Sequence, residues 1–464
     1  MFLRKCSVKL FVRNGLNRLA SDRQVYGSLG LGLILRLVAL GVVGSLPLRN
    51  EAPGYFRMAL QLLHHESFSP YWPPGVPYLL LGFQKLFGES ILVARATMLP
   101  VYVGFSMALY LMVKEVSTRG AANLAVLIFA VYPPYVRFSL NPSTEYPAAA
   151  CLMAIVYLGV VNARRPSFVR AAALGFFLGA LALIRSSSLL LVVLGPLYLL
   201  LKTRRIRMTL VTLDVSLILI GSWEWKACTM TGRFVMINES SWEDFYFGNN
   251  PLTPLYRTWP EGLAEVGFPD ELKKTLREVR SRLPEEREPW YRAMALRYIA
   301  SRPDLFLLRT FNRFRAYFGF PIHVGEPVIQ RFHVSQARSL IGLGLTLLDA
   351  CFYWPIMTLA ILFLFNFPNS ILKTDYLVAM LGTALLYAMP YWVSMSQPRY
   401  NFPVVPLFAV LAVLFIDSWV ERSRAEVFEP LLHSVKRKRA LLFVLAFFVY
   451  IQIEWLLVGY RIIR

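Results

Sequence analysis

The sequence predicts an all-α protein, a polytopic bundle of transmembrane helices, and three observations lead to this class. First, 56% of the 464 residues are hydrophobic and the mean hydropathy is +0.49. Second, most of the chain lies in apolar runs of about 20 residues, the length that crosses about 30 Å of hydrocarbon. Third, the basic residues behind the formal net charge of +21 cluster in short loops between these runs. Cytoplasmic loops have this composition, so the charge indicates membrane orientation rather than binding to nucleic acid.

Eleven apolar runs are candidate spans. They lie at about 27–46, 90–112, 121–138, 144–161, 169–184, 187–201, 207–225, 340–365, 376–393, 402–418 and 440–459. A further run, 76–87, contains Gln84 and Lys85 and is too short to cross a bilayer. We therefore expect it to be interfacial or re-entrant, since counting it as a span would invert every later loop.

The loops define an orientation. The first 26 residues are strongly basic, which places the N-terminus in the cytoplasm and makes the first apolar run a retained anchor. Alternation then places 47–89, 139–143, 226–339 and 394–401 on the outer face. The predicted organisation is a cytoplasmic N-terminus 1–26, a transmembrane bundle 27–225 with the outer loop 47–89, an outer insert with an interfacial helix 226–339, and C-terminal transmembrane helices 340–464.

The outer insert is predicted to be helical. Residues 269–282 and 285–299 show helical patterns. Residues 304–320 mix arginines and aromatic residues at helical spacing, which is typical of a helix on the membrane surface.

The outer loop 47–89 combines a helix start with a rigid turn. Asn50 is expected to cap a short amphipathic helix, with Glu51 near the positive end of the helix dipole and Pro53 in the first turn. In the following Tyr-Trp-Pro-Pro-Gly stretch, 71–75, two prolines fix φ and the glycine frees it. We expect this part of the loop to hold one shape.

Short phrases along the chain match those of a known superfamily. They are Glu51-Ala52 with Tyr55, Pro73-Pro74-Gly75-Val76-Pro77, Tyr132-Pro133-Pro134, Ser143-Thr144-Glu145, Arg185, Trp223 to Gly232, Gly248-Asn249-Asn250-Pro251, Arg302-Pro303 and Arg399-Tyr400-Asn401-Phe402-Pro403. In this order, over residues 25–420, they resemble the bacterial polyprenyl-phosphate-sugar-dependent glycosyltransferases of the GT-C superfamily, in particular glycosyltransferase family 39, the protein mannosyltransferases and the aminoarabinose transferases of lipid A. The resemblance implies a GT-C fold with outer-face amphipathic helices. The family usually has aspartate where this chain has Glu51.

Two acids are implied to be catalytic by this resemblance. Glu51 is then the general base that takes the proton from an acceptor hydroxyl as it attacks the anomeric carbon. Glu145 would bind a sugar hydroxyl, assist the base or hold a cationic group. The residues alone leave open that each carboxylate only stabilises the start of a helix.

A lipid-phosphate donor requires cations on the outer face to hold the phosphate. The candidates are Arg399, Lys226, Arg185 and Arg57, of which Arg399 is outside against the positive-inside tendency. The alternative for each is a side chain that snorkels to the interface. Predicted substrate contacts are Tyr55, Asn249, Asn250 and Tyr400, together with Tyr71 and Trp72, which alternatively anchor the membrane interface.

No cofactor or metal is predicted. The four cysteines lie far apart without CxxC spacing, and no P-loop or Gly-rich dinucleotide phrase occurs. His64 and His65 are adjacent and do not face one ion. His323 and His333 lie in the part of the insert where the family can contact the donor, and the sequence leaves their role open.

These features predict a multi-pass glycosyltransferase of the bacterial cytoplasmic membrane, active on the outer, periplasmic face. It would transfer a hexosyl or pentosyl group from a polyprenyl-phosphate donor to a hydroxyl of a lipid, glycan or protein, with Glu51 as base. A transporter or flippase for a lipid-linked glycan is one alternative, which predicts charges deep in spans and two related halves. Asp349 is the main acid within a span, and no internal repeat is evident. A catalytically silent GT-C relative that binds a partner is the other alternative.

Overall fold

The structure is a computed structural model that describes residues 22–255, 269–320, 338–366, 375–425 and 435–463. Within these residues all regular structure is helical, which confirms the predicted all-α class. The helices are α1 Asp22–Val43, α2 Ala52–Leu63, α3 Gly75–Phe87, α4 Ile91–Ala96, α5 Met98–Val116, α6 Arg119–Val131, α7 Pro133–Phe138, α8 Glu145–Arg164, α9 Phe168–Ile184, α10 Leu189–Thr203, α11 Ile206–Thr231, α12 Ser241–Gly248, α13 Asp270–Arg280, α14 Pro284–Ser301, α15 Pro303–Tyr317, α16 Arg338–Asn366, α17 Asp375–Val393, α18 Val405–Ala425 and α19 Val435–Ile463. Two 3₁₀ turns, Ser186–Ser188 and Pro398–Val404, precede α10 and α18.

Nine helical segments in the described part of the chain are long and apolar enough to cross a membrane. Two shorter apolar helices, α6 and α9, account for the remaining two predicted runs. The protein is therefore a multi-pass membrane protein. Helix α3, which covers the run 76–87, has only 13 residues and is not among the candidate spans, as expected.

The predicted run 121–138 is broken into α6 and α7. Tyr132 leaves the helical region, with φ −63° and ψ 113°, because proline at 133 disfavours a helical conformation in the residue before it. Arg36 in α1 is fully buried beside this break. Its guanidinium donates to the carbonyl oxygens of Ala130 at 3.0 Å, Phe129 at 3.2 Å and Tyr135 at 3.3 Å. It thus satisfies carbonyls at the end of α6.

Helix α8 lies at the centre of the bundle. Fifteen of its 20 residues are buried, and it packs against α5, α9, α17 and the Pro398–Val404 turn. Alanines at 148–150 keep its first half narrow, which allows close packing of neighbouring helices. Because Glu145 is its first residue, this acid lies in the middle of one end of the bundle.

The bundle has two ends that differ in their contacts. At the end that contains Glu145, which we call the site end, the start of α2, the end of α9 and the Pro398–Val404 turn come together. At the opposite end, Thr118 contacts Asp417, Arg164 pairs with Glu115, and Lys202 pairs with Asp375. In the described part of the chain, the predicted outer loops that carry Glu51 and Arg399 thus meet at one end, and residues beside the predicted inner loops pair at the other.

The outer insert contains the two predicted helices, as α13 and α14. Helix α15 corresponds to the predicted membrane-surface helix, but its arginines are buried inside the protein: Arg309, Arg313 and Arg315. Leu307 and Phe311 are exposed on its other side. The sequence pattern predicted the amphipathic helix but not that its cationic face would bind other helices.

Candidate active site

Glu51 lies at the N-cap position of α2. The predicted cap by Asn50 is wrong, because Asn50 has a positive φ of 56° and Glu51 occupies the N-cap. Asparagine tolerates this left-handed conformation better than most residues. The side chain of Glu51 makes no capping hydrogen bond, so it is free to point away from its own helix.

Arg399, in the Pro398–Val404 turn, binds this carboxylate with both terminal nitrogens. Its Nη1 donates to Oε2 of Glu51 at 3.1 Å, and its Nη2 donates to Oε1. The side chains are 14% exposed for Arg399 and 24% for Glu51. Such a two-pronged contact is the strongest geometry between a guanidinium and a carboxylate.

A second ion pair lies beside the first. Nη2 of Arg185 is 2.8 Å from Oε1 of Glu145, and both side chains are buried. Nε of Arg399 lies 3.9 Å from the same Glu145 oxygen, which links the two pairs. We call Glu51, Glu145, Arg185 and Arg399 the acid–arginine cluster.

Tyrosines hold the arginines of this cluster. Nη1 of Arg185 donates to the hydroxyl of Tyr391 at 2.8 Å, and the Ser187 hydroxyl lies 2.9 Å from the same oxygen. Tyr391 stacks on Tyr400, with ring centroids 4.7 Å apart. The guanidinium of Arg399 lies 5.3 Å from the centroid of the Tyr400 ring. The arginines therefore lie against an aromatic surface that fixes their planes.

The Pro-Pro-Gly turn of the predicted outer loop packs directly on the end of α9. A Cβ atom at Gly75 would lie 2.6 Å from Cγ1 and 2.8 Å from the backbone nitrogen of Ile184. Only glycine allows this approach. Because Ile184 precedes Arg185, the turn brings the outer loop against the cluster.

The other predicted residues of the loop lie near this contact. Tyr55 is buried, and its ring centroid is 5.3 Å from that of Trp72. Tyr71 meets Trp72 edge to face at 5.0 Å, and its carbonyl accepts a hydrogen bond from Asn238 at 3.4 Å. These three aromatic residues therefore pack on one another next to the first turn of α2.

Electrostatics set the protonation of Glu51. Burial alone would raise its pKa, but the charge and hydrogen bonds of Arg399 outweigh that effect, so the pKa lies below its ordinary value of 4.5. Glu51 is thus an ionised carboxylate, and a weak base while Arg399 holds it.

Sequence reasoning missed a further acid, Asp244 in α12. Burial, with the charges of Glu243 and Glu51, raises its pKa to about 8, against the opposing effect of Arg399. Asp244 therefore lies close enough to the cluster to feel its charges. The available signal was the acid pair 243–244 directly before an aromatic run and the Gly248-Asn249 phrase.

Four of the predicted residues lie apart from the cluster or bind the backbone instead. Arg57 is exposed on α2, and Lys226 is half-buried on α11. The side-chain amide of Asn249 donates to the carbonyl oxygens of Phe245 and Val393, and that of Asn250 donates to those of Tyr246 and Phe247. In this structure the Asn249 amide joins α12 to α17, whereas that of Asn250 donates to the last turn of α12.

No group of three or more metal-binding side chains occurs among the described residues. Nε2 of His64 lies 2.9 Å from a carboxylate oxygen of Glu89. His323 and His333 lie outside the described residues, as do parts of the predicted N-terminus and insert.

Comparisons with known proteins address the family. A family model described as dolichyl-phosphate-mannose-protein mannosyltransferase matches residues 72–223. A search of curated proteins found no match. The matched segment contains the Pro-Pro-Gly phrase, Glu145 and Arg185, whereas Glu51 and Arg399 lie outside it.

Solved structures similar to this chain include two of an archaeal enzyme. The Archaeoglobus fulgidus oligosaccharyltransferase in complex with Zn and sulfate is 14% identical, with a TM-score of 0.46, and the match covers 94% of this chain and 53% of that one. The oligosaccharyltransferase AglB of the same organism, in complex with an inhibitory peptide and a dolichol-phosphate, is 14% identical with a TM-score of 0.40, covering 95% and 56%. This chain spans about half the length of these proteins. The family match over residues 72–223 confirms, for that part of the chain, the predicted resemblance to the glycosyltransferases of the GT-C superfamily.

Proposed function

We propose that the protein is a membrane glycosyltransferase that uses a polyprenyl-phosphate-linked sugar, and that the acid–arginine cluster is its active site. One observation supports this most directly. Two arginines from distant parts of the chain, Arg185 buried and Arg399 14% exposed, meet two carboxylates at one end of the bundle. Buried ion pairs are costly to assemble and weak evidence of stabilisation, so a functional role is the better explanation.

The donor phosphate would bind where Glu51 now binds. A phosphate presents a pair of oxygens that matches the guanidinium fork as a carboxylate does. When the phosphate binds Arg399, Glu51 loses its partner, and the pKa of its carboxyl rises toward the ordinary value. Donor binding therefore releases the base that the reaction needs.

The transfer step then balances as follows. The acceptor oxygen forms a bond to the anomeric carbon while the bond from that carbon to the phosphate oxygen breaks, with inversion. Glu51 takes the acceptor proton, and the leaving polyprenyl phosphate takes the bonding electron pair. Arg399 and Arg185 stabilise the charge that develops on the phosphate. Glu145 keeps Arg185 in place and faces the sugar.

The same proposal includes the side of the membrane and the partners. Its support is that the predicted outer loops meet at the site end, while the basic loops lie at the other. The site then faces the periplasmic side of the cytoplasmic membrane. The acceptor is a hydroxyl of a lipid, a glycan or a protein, and the sugar is a hexose or a pentose.

A binding assay and a transfer assay test this function together. Every such donor leaves a polyprenyl monophosphate, so we expect wild-type protein in detergent to bind a short-chain polyprenyl monophosphate better than the matching polyprenol. In a transfer assay with a panel of polyprenyl-phosphate sugars, Glu51→Gln should lower the rate by about 100-fold or more, because the general base is lost.

Measuring monophosphate binding by Glu51→Gln distinguishes a catalytic role of Glu51 as general base from a purely structural role. The variant should bind the monophosphate at least as tightly as wild type, because its neutral amide competes less for Arg399. Equal binding of phosphate and polyprenol by wild type, or unchanged transfer by the folded variant, would contradict the proposal.

A further inference from the structure

Arg313 in α15 is a buried cation without an acidic partner among the described residues. It is fully buried, and burial together with the charge of Arg309 lowers its pKa to about 9. Its Nη1 donates to the carbonyl oxygen of Val393 at 2.9 Å and to Oδ1 of Asn249 at 3.3 Å. Its Nη2 donates to the carbonyl oxygen of Gly248. Burial of a charge among neutral acceptors is costly, which calls for an explanation.

These contacts fasten the ends of two helices together. Gly248 ends α12 and Val393 ends α17. The amide of Asn249 also donates to the Val393 carbonyl, at 2.9 Å. A Cβ atom at Gly248 would lie 1.6 Å from the carbonyl oxygen of Ser394, so the two segments touch backbone to backbone. We call Gly248, Asn249, Arg313 and Val393 the Arg313 clasp.

Both fastened helices contribute to the candidate active site. On α17, Tyr391 lies two residues before Val393 and binds Arg185. On α12, Asp244 lies one turn before Gly248 and senses the charges of Glu51 and Arg399. The clasp thus joins two helices whose residues both interact with the acid–arginine cluster.

We propose that Arg313 is a positioning residue of this site. Through the clasp it sets the position of Tyr391, and so the direction in which Arg185 presents its guanidinium to a phosphate. This inference rests on the proposed function for the identity of the ligand. Gly248 and Asn249 thereby have an indirect role in phosphate binding, although the side-chain nitrogen of Asn249 itself donates to backbone carbonyls.

Arg309 provides a matched control one turn earlier on α15. It is also buried, and it donates to the carbonyl oxygens of Asn250 at 3.0 Å and of Thr253. Those backbone contacts go to the loop after α12 and not to α17. A purely structural role for buried arginines in α15 predicts the same consequences for both residues.

The experiment compares Arg313→Met with Arg309→Met in full-length protein. Unfolding temperature in detergent and the Kd for a short-chain polyprenyl monophosphate are measured for each, alone and combined with Tyr391→Phe. We expect Arg313→Met to weaken binding about tenfold and to add little to Tyr391→Phe, because both act on the same contact. Arg309→Met should weaken binding less than about twofold and add independently. Equal weakening by both variants, or full additivity of Arg313→Met with Tyr391→Phe, overturns the inference.

A second readout does not depend on the ligand. Hydrogen exchange of the segment 387–395 should rise in Arg313→Met and not in Arg309→Met. If wild type binds no polyprenyl monophosphate, the proposed function fails, and this exchange comparison alone decides whether Arg313 positions α17. If Arg313→Met does not fold, Arg313→Lys replaces it, since lysine keeps the charge but lacks the two-pronged contact.

Discussion

Ion pairs occur at both ends of the helix bundle, but their surroundings differ. At the opposite end, Arg164 and Glu115 are 36% and 22% exposed, and Lys202 and Asp375 are 34% and 38% exposed. At the site end, Arg185 and Glu145 are only 8% and 4% exposed, and Arg399 and Glu51 are 14% and 24% exposed. Partly exposed pairs need no special explanation and contribute little to stability.

The difference in exposure indicates at which end of the bundle the protein dehydrates charged groups at a cost in folding free energy. A buried pair must overcome the loss of hydration of both groups, and apolar residues of similar size often serve stability equally well. The site end therefore keeps charges that the fold does not need. Variants at the two ends test whether this difference in burial has functional consequences.

The largest effect is expected for Arg399→Gln. This variant removes the cation that holds Glu51 and, in our proposal, the donor phosphate, so transfer should fall by about 1,000-fold. Steady-state transfer and monophosphate binding measure the loss. Lys202→Gln, which removes a cation at the opposite end, should change neither. Similar losses in both variants would mean that the site end has no special role.

A smaller effect, on stability, is expected for Glu145→Gln. It leaves the buried Arg185 without its carboxylate, which should lower the free energy of unfolding by about 3 kcal/mol. Glu115→Gln breaks the exposed pair with Arg164 and should cost less than about 1 kcal/mol. Chemical denaturation in detergent compares the two. Equal costs would show that burial does not distinguish the ends.

The smallest effect is a pH dependence at Asp244. Its pKa is raised from an ordinary value of 3.8 to about 8 in the folded protein. The folded state thus holds the proton more tightly than the unfolded chain does, and the stabilisation by this proton is lost as pH rises from about 4 to about 8. Asp244→Asn should match wild type near pH 4 and exceed its unfolding temperature by about 2 °C or more at pH 8.

The quantity to follow against pH is the difference in unfolding temperature between Asp244→Asn and wild type. This difference removes the contribution of other groups that titrate in the same pH range. One such group is Glu288, whose pKa is raised to about 7 by burial and the charge of Glu239, against the opposing charge of Arg233. A difference that stays constant with pH would show that Asp244 is ionised throughout and does not share the field of the cluster.

Much of the fold could be predicted because membrane spans follow from length and hydropathy. Each of the predicted runs falls on an apolar helix, and α3 is short as expected. The positions at which helices break were harder to predict from the sequence. The run 121–138 is continuous in hydropathy, yet proline 133 divides it, and a local conformational preference decided the outcome over composition.

The candidate site could be predicted in part. Glu51, Glu145, Arg185 and Arg399 were named from phrases, but nothing local pairs residues that are 348 positions apart in the chain. Asp244 and Arg313 were missed for the same reason. An acid in a short helix and an arginine in an amphipathic one look solvated in the sequence, whereas tertiary packing buries Arg313 and brings Asp244 close to the charges of the cluster.

The close approach of the Gly75 backbone to Ile184 limits which substitutions the site can accept. The space between the Pro-Pro-Gly turn and α9 is too small for a methyl group at Gly75. A misplacement of about 1 Å can cost about 100-fold in rate, so one added carbon would suffice to shift the loop relative to Arg185 at the end of α9. A substitution at Gly75 would therefore change the dimensions of the site and leave its chemical groups in place.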